Sequence, residues 1–86
     1  MGAIAAGCTA LIKPSEMTPY SAAVVSRIVE SVLDPDAYAV VNGGVDETTE
    51  LLKFRWDKIM YTGNGTVGRI VATAAAKHLT PVILEL

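Results

Sequence analysis

Two kinds of hydrophobic pattern alternate along this chain of 86 residues. Short apolar runs of the kind found in buried strands occupy residues 8–12, 37–41, 58–61 and 81–86. Apolar residues at helical spacing predict helices over about 20–33, 47–54 and 65–77. The predicted order is β-α-β-α-β-α-β. Because the strands lack polar alternation, we expect an α/β fold with a parallel sheet covered by helices on both faces.

The first predicted helix has the clearest boundaries. Thr18 is expected to be its N-cap and Pro19 its first residue, and Asp34-Pro35-Asp36 should end it. One side is apolar and should face the core: Val24, Val25, Ile28, Val29, Val32 and Leu33. The opposite side is polar and should face solvent: Ser26, Arg27, Glu30 and Ser31. Asp46 is expected to cap the second helix.

Composition points to a piece of a larger protein. Hydrophobic residues make up 51% of the chain, and the mean hydropathy is +0.40, which is high for a small free-standing domain. The net charge of -2 and the scattered Lys and Arg residues argue against a nucleic-acid partner. The apolar start is too short to span a bilayer, and it lacks the charged region of a signal peptide.

Cysteine usage excludes two classes of site. Cys8 is the only cysteine, so the chain has neither a disulfide framework nor a metal cluster. A reducing intracellular compartment is the default expectation. Cys8 lies in an apolar run with no positive partner nearby, so we expect a small buried residue rather than a nucleophile.

A glycine-rich turn is expected between the third strand and the last helix, over Thr62-Gly63-Asn64-Gly65. Glycines at such a junction let the backbone approach a phosphate, which the helix N-terminus attracts, but they also serve simple tight turns. Gly63, Gly65 and Gly68 match the G-x-G-x-x-G dinucleotide fingerprint nominally, with Glu85 as the acidic residue about 20 positions on. Spacing alone leaves both interpretations open.

Charged residues follow two of the predicted strands. Lys13 and Glu16 could bond the two hydroxyls of a ribose, or they could form an ordinary exposed ion pair. Glu85, flanked by leucines at the end of the last strand, could be a general base favoured by partial burial, or it could simply reach water.

Several motifs in fixed order resemble the aldehyde dehydrogenase superfamily. Gly2–Gly7 leading into Leu11–Glu16 resembles the start of the cofactor domain in that family, and Leu84-Glu85-Leu86 resembles the opening of its Leu-Glu-Leu-Gly-Gly-Lys signature. Further segments resemble the class 3, or fatty aldehyde dehydrogenase, branch: residues 38–44, 47–52, 61–64 and 74–82. The resemblance covers the whole chain, and identifies residues 1–86 as a partial, Rossmann-like NAD-binding domain.

The resemblance implies a role for each of nine residues. Lys13, Ser15 and Glu16 would bind the cofactor around its adenosine ribose, and Gly43 would line the adenine side. Thr62, Gly63, Asn64 and Gly68 would lie at the pyrophosphate. Glu85 would be the general base that activates the deacylating water. NAD is the expected cofactor, with NADP as an alternative, because Glu16 would repel a 2′-phosphate.

In this family a cysteine attacks the aldehyde, hydride passes to the nicotinamide, and the thioester is hydrolysed to an acid. The resemblance thus implies oxidation of an aldehyde, of fatty or aromatic type, by a parent protein that is a homodimer. Some class 3 relatives are membrane-anchored through a C-terminal tail absent here, so the parent would be cytoplasmic or membrane-associated.

Three departures qualify the resemblance. Cys8 stands where asparagine is usual, Gly65 stands where threonine or serine is common, and the chain holds neither the catalytic cysteine nor the oxyanion-stabilising asparagine. We therefore expect the isolated chain to oxidise no aldehyde. Two alternatives remain open: a non-catalytic nucleotide-binding module, and a different Rossmann-type oxidoreductase matched by chance.

Overall fold

The structure, a computed structural model, describes all 86 residues. It contains, in chain order, α1 (Gly2–Ala5), β1 (Ala10–Ile12), α2 (Pro19–Val32), β2 (Tyr38–Val40), α3 (Val45–Leu51), β3 (Ile59–Thr62), α4 (Gly65–Ala76) and β4 (Val82–Glu85). The chain divides into two compact units, Met1–Glu47 and Thr48–Leu86, which are described separately. None of the helices is long and apolar enough to cross a bilayer.

The first unit is a β-α-β crossover. β1 and β2 pair in parallel, with Ala10 opposite Tyr38 and Ile12 opposite Val40, and α2 packs against β2. The amide of Val41 donates to the carbonyl of Ile12 at 2.9 Å, so the pairing continues one residue past the end of β2. The chain segments that follow β1 and β2 therefore leave the same, carboxyl edge of this pair.

The helix α2 begins where the sequence predicted, but its faces differ from the prediction. Thr18 is the N-cap and Pro19 the first residue, as expected; however, the Thr18 side chain makes no cap hydrogen bond, and its hydroxyl donates instead to the carbonyl of Ser15. Ala22 and Val29 form the buried face. Three residues of the predicted core face are exposed: Val24, Ile28 and Val32.

The second unit is another parallel crossover, from β3 through α4 to β4. Ile59 lies opposite Val82 and Thr62 opposite Glu85, and α4 packs on both strands. Its buried face consists of Gly68, Val71 and Ala75.

A tight turn leads from α4 into β4. Leu79 has a positive φ of 54°, and the amide of Thr80 donates back to the carbonyl of Ala75 at 3.0 Å. The Thr80 side chain is buried, and its hydroxyl donates to the carbonyl of Trp56 at 2.8 Å. This bond ties the segment before β3 to the segment before β4.

The predicted alternation and parallel pairing are confirmed, and the structure differs from the prediction in three details. The strands form two two-stranded sheets rather than one, because hydrophobic pattern locates strands but does not specify the neighbour along each edge. The chain also contains α1, for which no pattern was recognised. Asp46 lies inside the first turn of α3 rather than at its cap, where its charge suits the helix dipole.

Candidate cofactor-binding site

Lys13 and Glu16 form a local ion pair just beyond β1. The Lys13 ammonium lies 3.4 Å from the nearer Glu16 carboxylate oxygen, and it donates to the carbonyl of Pro14 at 3.0 Å. The Lys13 side chain is mostly covered, with 18% of its surface accessible, whereas half of the Glu16 side chain is exposed. A cation and a carboxylate thus sit side by side, one able to donate and the other able to accept.

The surroundings of Glu16 favour its ionised form. A hydrogen bond from its own backbone amide, and then the hydrogen bond and charge of Lys13, hold the pKa of this carboxyl below its ordinary value. Glu16 is therefore a charged acceptor at neutral pH, suited to hydroxyl groups and repulsive to a phosphate.

A cleft of about 310 Å³ opens beside Glu16. One wall is the segment Pro14–Glu16 together with the start of α2 at Pro19, Ala22 and Ala23, and the other is Asn42-Gly43-Gly44 after β2. The walls approach closely, since a Cβ placed on Gly44 would lie 3.9 Å from Cγ of Glu16. The cleft is of the size and partly apolar character that small-molecule sites have.

Of the residues predicted for the adenosine end, Ser15, Glu16 and Gly43 line this cleft directly. Lys13 is not among the lining residues, and it reaches the cleft through its ion pair with Glu16. The Ser15 hydroxyl accepts a hydrogen bond from the amide of Met17 at 3.1 Å, which stabilises the bend between β1 and α2. The first unit thus brings together the four residues assigned to this end.

The second unit carries the predicted phosphate turn. Asn64 is the N-cap of α4, and its side-chain oxygen accepts from the amide of Val67 at 2.9 Å. The helix therefore begins at Gly65, and the first amides of α4 lie directly after Thr62-Gly63-Asn64, where the helix dipole favours an anion.

The three glycines of the nominal G-x-G-x-x-G pattern have different surroundings. A Cβ on Gly63 would fall 2.6 Å from Cζ of Tyr61, so the tyrosine ring lies against this backbone. A Cβ on Gly68 would approach a methyl of Leu86 to 2.9 Å, which gives this buried residue a packing role between α4 and the chain after β4. Gly65 has room, because its nearest neighbour would be the Arg69 guanidinium at 3.5 Å.

Glu85 lies at the same sheet edge as the turn. It is paired with Thr62 in the β3–β4 register, and its carbonyl accepts from the amide of Gly63 at 3.0 Å. Its side chain is exposed. In this chain the carboxylate therefore reaches solvent rather than being partly buried, beside the turn that begins α4.

Two features escaped prediction from the sequence. The Asn42 amide donates to the Ser26 hydroxyl at 2.8 Å, although Ser26 was assigned to the solvent side of its helix. The two residues are 16 positions apart, so no local sequence pattern predicts this bond. Cys8 is exposed, contrary to the expectation of burial, because it precedes β1 rather than belonging to it.

Comparison with known proteins decides the family. The sequence model that describes the aldehyde dehydrogenase family matches residues 1–86, the whole chain. The chain belongs to the aldehyde dehydrogenase family. It is 59% identical over its 86 residues to mouse aldehyde dehydrogenase family 3 member A2, 60% identical to the beta-apo-4′-carotenal oxygenase of Neurospora crassa, and 56% identical to a canine dimeric, NADP-preferring aldehyde dehydrogenase.

The fold agrees with this assignment. A solved structure of an aldehyde dehydrogenase from Staphylococcus aureus, described as a substrate-bound state, superposes with a TM-score of 0.96 at 46% identity and covers 99% of the chain. The resemblance to class 3 enzymes and the partial Rossmann-like α/β fold are thereby confirmed, and a chance match to another oxidoreductase family is excluded. The chain spans 16%, 18% and 19% of the Neurospora, mouse and canine relatives.

Proposed function

We propose that this chain supplies a large part of the cofactor site of an NAD-dependent aldehyde dehydrogenase. The observation that carries the proposal is the cleft of the first unit, in which an ionised carboxylate paired with a lysine lies opposite a wall of two glycines. Such a donor–acceptor pair suits the vicinal hydroxyls of a ribose, and the glycine backbone of the facing wall lets a flat base approach closely. The donor set therefore fits the adenosine part of a dinucleotide.

The remaining predicted contacts lie in the second unit. We assign the pyrophosphate to the turn Thr62–Asn64 and the first amides of α4, because a capped helix N-terminus attracts anions. Gly68 would act by letting α4 pack closely rather than by touching the phosphate. The cofactor, when bound, accepts the hydride that leaves the aldehyde carbon.

Glu85 is the one residue to which we assign a catalytic role. Its exposed carboxylate lies next to the turn, where it could take a proton from water as general base during hydrolysis of the acyl intermediate. The complete reaction consumes an aldehyde, the oxidised cofactor and water, and releases a carboxylic acid, the reduced cofactor and a proton.

We propose NAD rather than NADP as the preferred cofactor. The ionised Glu16 would repel a 2′-phosphate. The preference is not a strict exclusion, since a relative named as NADP-preferring is 56% identical over the same residues.

The substrate class and the assembly rest on relatives. We propose a long apolar or aromatic aldehyde, in keeping with a relative named for an apo-carotenal, and a dimeric parent protein, in keeping with one named as dimeric. We also propose an intracellular location, because a single free cysteine suits a reducing compartment.

A graft tests the proposal. The matching segment of mouse family 3 member A2 is replaced by these 86 residues, and the product is called the grafted dehydrogenase below. It should reduce NAD with a long-chain aldehyde, and Glu85→Gln should lower kcat by about 10²-fold or more, since a positioned base contributes roughly that factor. Asp57→Asn, also exposed, is the control. A folded graft without NAD reduction would contradict the proposal.

The alternative of a non-catalytic binding module predicts a different result. The isolated 86-residue chain would then fold and release heat on titration with NAD, without any turnover. We favour the enzyme segment, because the chain buries few apolar residues by itself: Ala22, Val29, Val71 and Ala75.

A further inference from the structure

A relay of side-chain hydrogen bonds links the two walls of the cleft. The Asn42 amide donates to the Ser26 hydroxyl at 2.8 Å, and this hydroxyl donates in turn to the carbonyl of Ala22 at 3.1 Å. The Ser26 hydroxyl thus acts as acceptor and donor at once, which fixes the direction of both bonds. The relay runs from Asn42, in the loop after β2, to the first half of α2.

Both ends of the relay belong to the lining of the cleft. Asn42 directly precedes Gly43 and Gly44 on one wall, and Ala22 stands with Pro19 and Ala23 on the other. Ala22 is buried, with 6% of its surface accessible, so the helix end of the relay rests on a packed element. The loop end rests on β2, whose pairing with β1 continues to Val41.

The spacing of the walls matters because the cleft is narrow. A Cβ on Gly44 would already be in van der Waals contact with Glu16. A small shift of the wall that contains Gly43 and Gly44, called the glycine wall below, is therefore enough to change how a ligand fits. Backbone packing positions α2 against β2, and the Asn42–Ser26 bond adds a side-chain contact between the loop after β2 and the helix.

We infer that Asn42 and Ser26 are positioning residues that set the distance between the glycine wall and α2, and thereby the affinity for the adenosine part of the cofactor. The inference rests on the proposed function. Neither residue needs to touch the reacting atoms, so the relay should act on cofactor binding and leave the chemical step unchanged.

The test uses single substitutions in the grafted dehydrogenase. Asn42→Ala and Ser26→Ala should each raise the KM and Kd for NAD by about three- to tenfold, the effect of losing one neutral hydrogen bond. The kcat and the KM for the aldehyde should stay within about twofold. Because both substitutions break the same bond, the double variant should be little worse than either single one.

Ser31→Ala is the matched control. Ser31 lies on the same helix, and its hydroxyl also donates to a carbonyl of the helix, that of Ile28 at 2.9 Å, but it receives no bond from the loop. This variant should leave the KM for NAD unchanged. Ser26→Thr keeps a hydroxyl at the position and should restore most of the affinity that Ser26→Ala loses.

The outcomes separate the inference from the proposed function. Unchanged KM and Kd for NAD in Asn42→Ala and Ser26→Ala would overturn the inference, while the activity of the unsubstituted graft upheld the proposed function. A parallel loss of kcat, aldehyde affinity and thermal stability would also overturn it, because it would show general damage to the fold. A folded graft that neither binds NAD nor turns over would refute the proposed function and the inference with it.

Discussion

Expressed alone, the 86-residue chain should not form a cooperatively folded domain. Its accessible surface is 6386 Å², whereas a compact monomer of its mass would expose only about 4,900 Å². The excess is roughly 1,500 Å², of which about 55–60% is expected to be apolar. At about 25 cal/mol per Å² this corresponds to about 20 kcal/mol of hydrophobic stabilisation that the chain does not gain.

That deficit decides the outcome because folded domains are stable by only about 5–15 kcal/mol. The exposed residues are consistent with it: large apolar side chains such as Val32, Phe54, Met60 and Leu79 are each more than half accessible. We therefore expect helical circular dichroism to fall gradually with urea, together with strong binding of a hydrophobic dye. The grafted dehydrogenase, in which further chain can cover these groups, should unfold with a sharp transition.

A single cooperative urea transition for the isolated chain would refute this reasoning, provided that its slope is that of a domain of this size, about 1–3 kcal/mol per M. Saturable heat on titration with NAD would strengthen the refutation, and would favour the binding module over the enzyme segment. The measurement is made at several protein concentrations, because association of exposed apolar faces could produce a transition that depends on concentration.

Three further predictions concern the grafted dehydrogenase. Thr80→Val should destabilise it by about 1–3 kcal/mol in urea unfolding, because the buried Thr80 loses its partly buried hydrogen bond to the Trp56 carbonyl. Thr73→Val, which loses only an exposed bond to the Arg69 carbonyl within α4, should cost less than about 0.5 kcal/mol; equal effects would contradict the burial argument. Gly63→Ala should raise the KM for NAD and cost about 1–3 kcal/mol of stability, because the added methyl meets Tyr61; an unaltered variant would show that the ring moves freely aside. Because the pKa of Glu16 is lowered, its contribution to stability is present above the ordinary value of 4.5 and is lost as the pH falls through the lower folded value. The difference in urea midpoint between the wild type and Glu16→Gln should therefore shrink from about pH 6 to pH 3. A difference that widened over this range would contradict the direction of the pKa shift.

The strands and long helices could be predicted because their signals are local. Pro19 and Asp34-Pro35-Asp36 bound α2 through backbone restrictions that act within a few residues. The faces of α2 could not be predicted as well, since Val24 and Val29 are both apolar and only the position of β2 decides that Val29 is buried. Which strands lie next to each other could not be predicted for the same reason, because strand pairing depends on contacts between distant segments.

In the candidate site, too, some residues could be predicted from local sequence and others could not. Ser15, Glu16 and Gly43 could be assigned from motifs that resemble a family, and they do line one cleft. The relay between Asn42 and Ser26 could not, because each residue is ordinary in its own segment: one lies in the loop after a strand, and the other fits the polar side of a helix. A site wall is specified by the sequence nearby, whereas the spacing between walls is set by long-range contacts.

The three glycines of the nominal G-x-G-x-x-G pattern show why the pattern alone is weak evidence. In the usual fingerprint the second glycine is required because the pyrophosphate approaches its backbone closely. Here the residue in that position, Gly65, has room for a methyl group, and its nearest neighbour is the Arg69 side chain at 3.5 Å. Gly65→Ala should therefore leave the urea midpoint of the graft unchanged and its NAD affinity within about twofold. It is the matched control for Gly63→Ala. A Gly65→Ala variant that folds normally but loses NAD binding would mean that the phosphate lies against the Cα of this residue, as in the usual fingerprint, and would refute the interpretation that the pattern is nominal here.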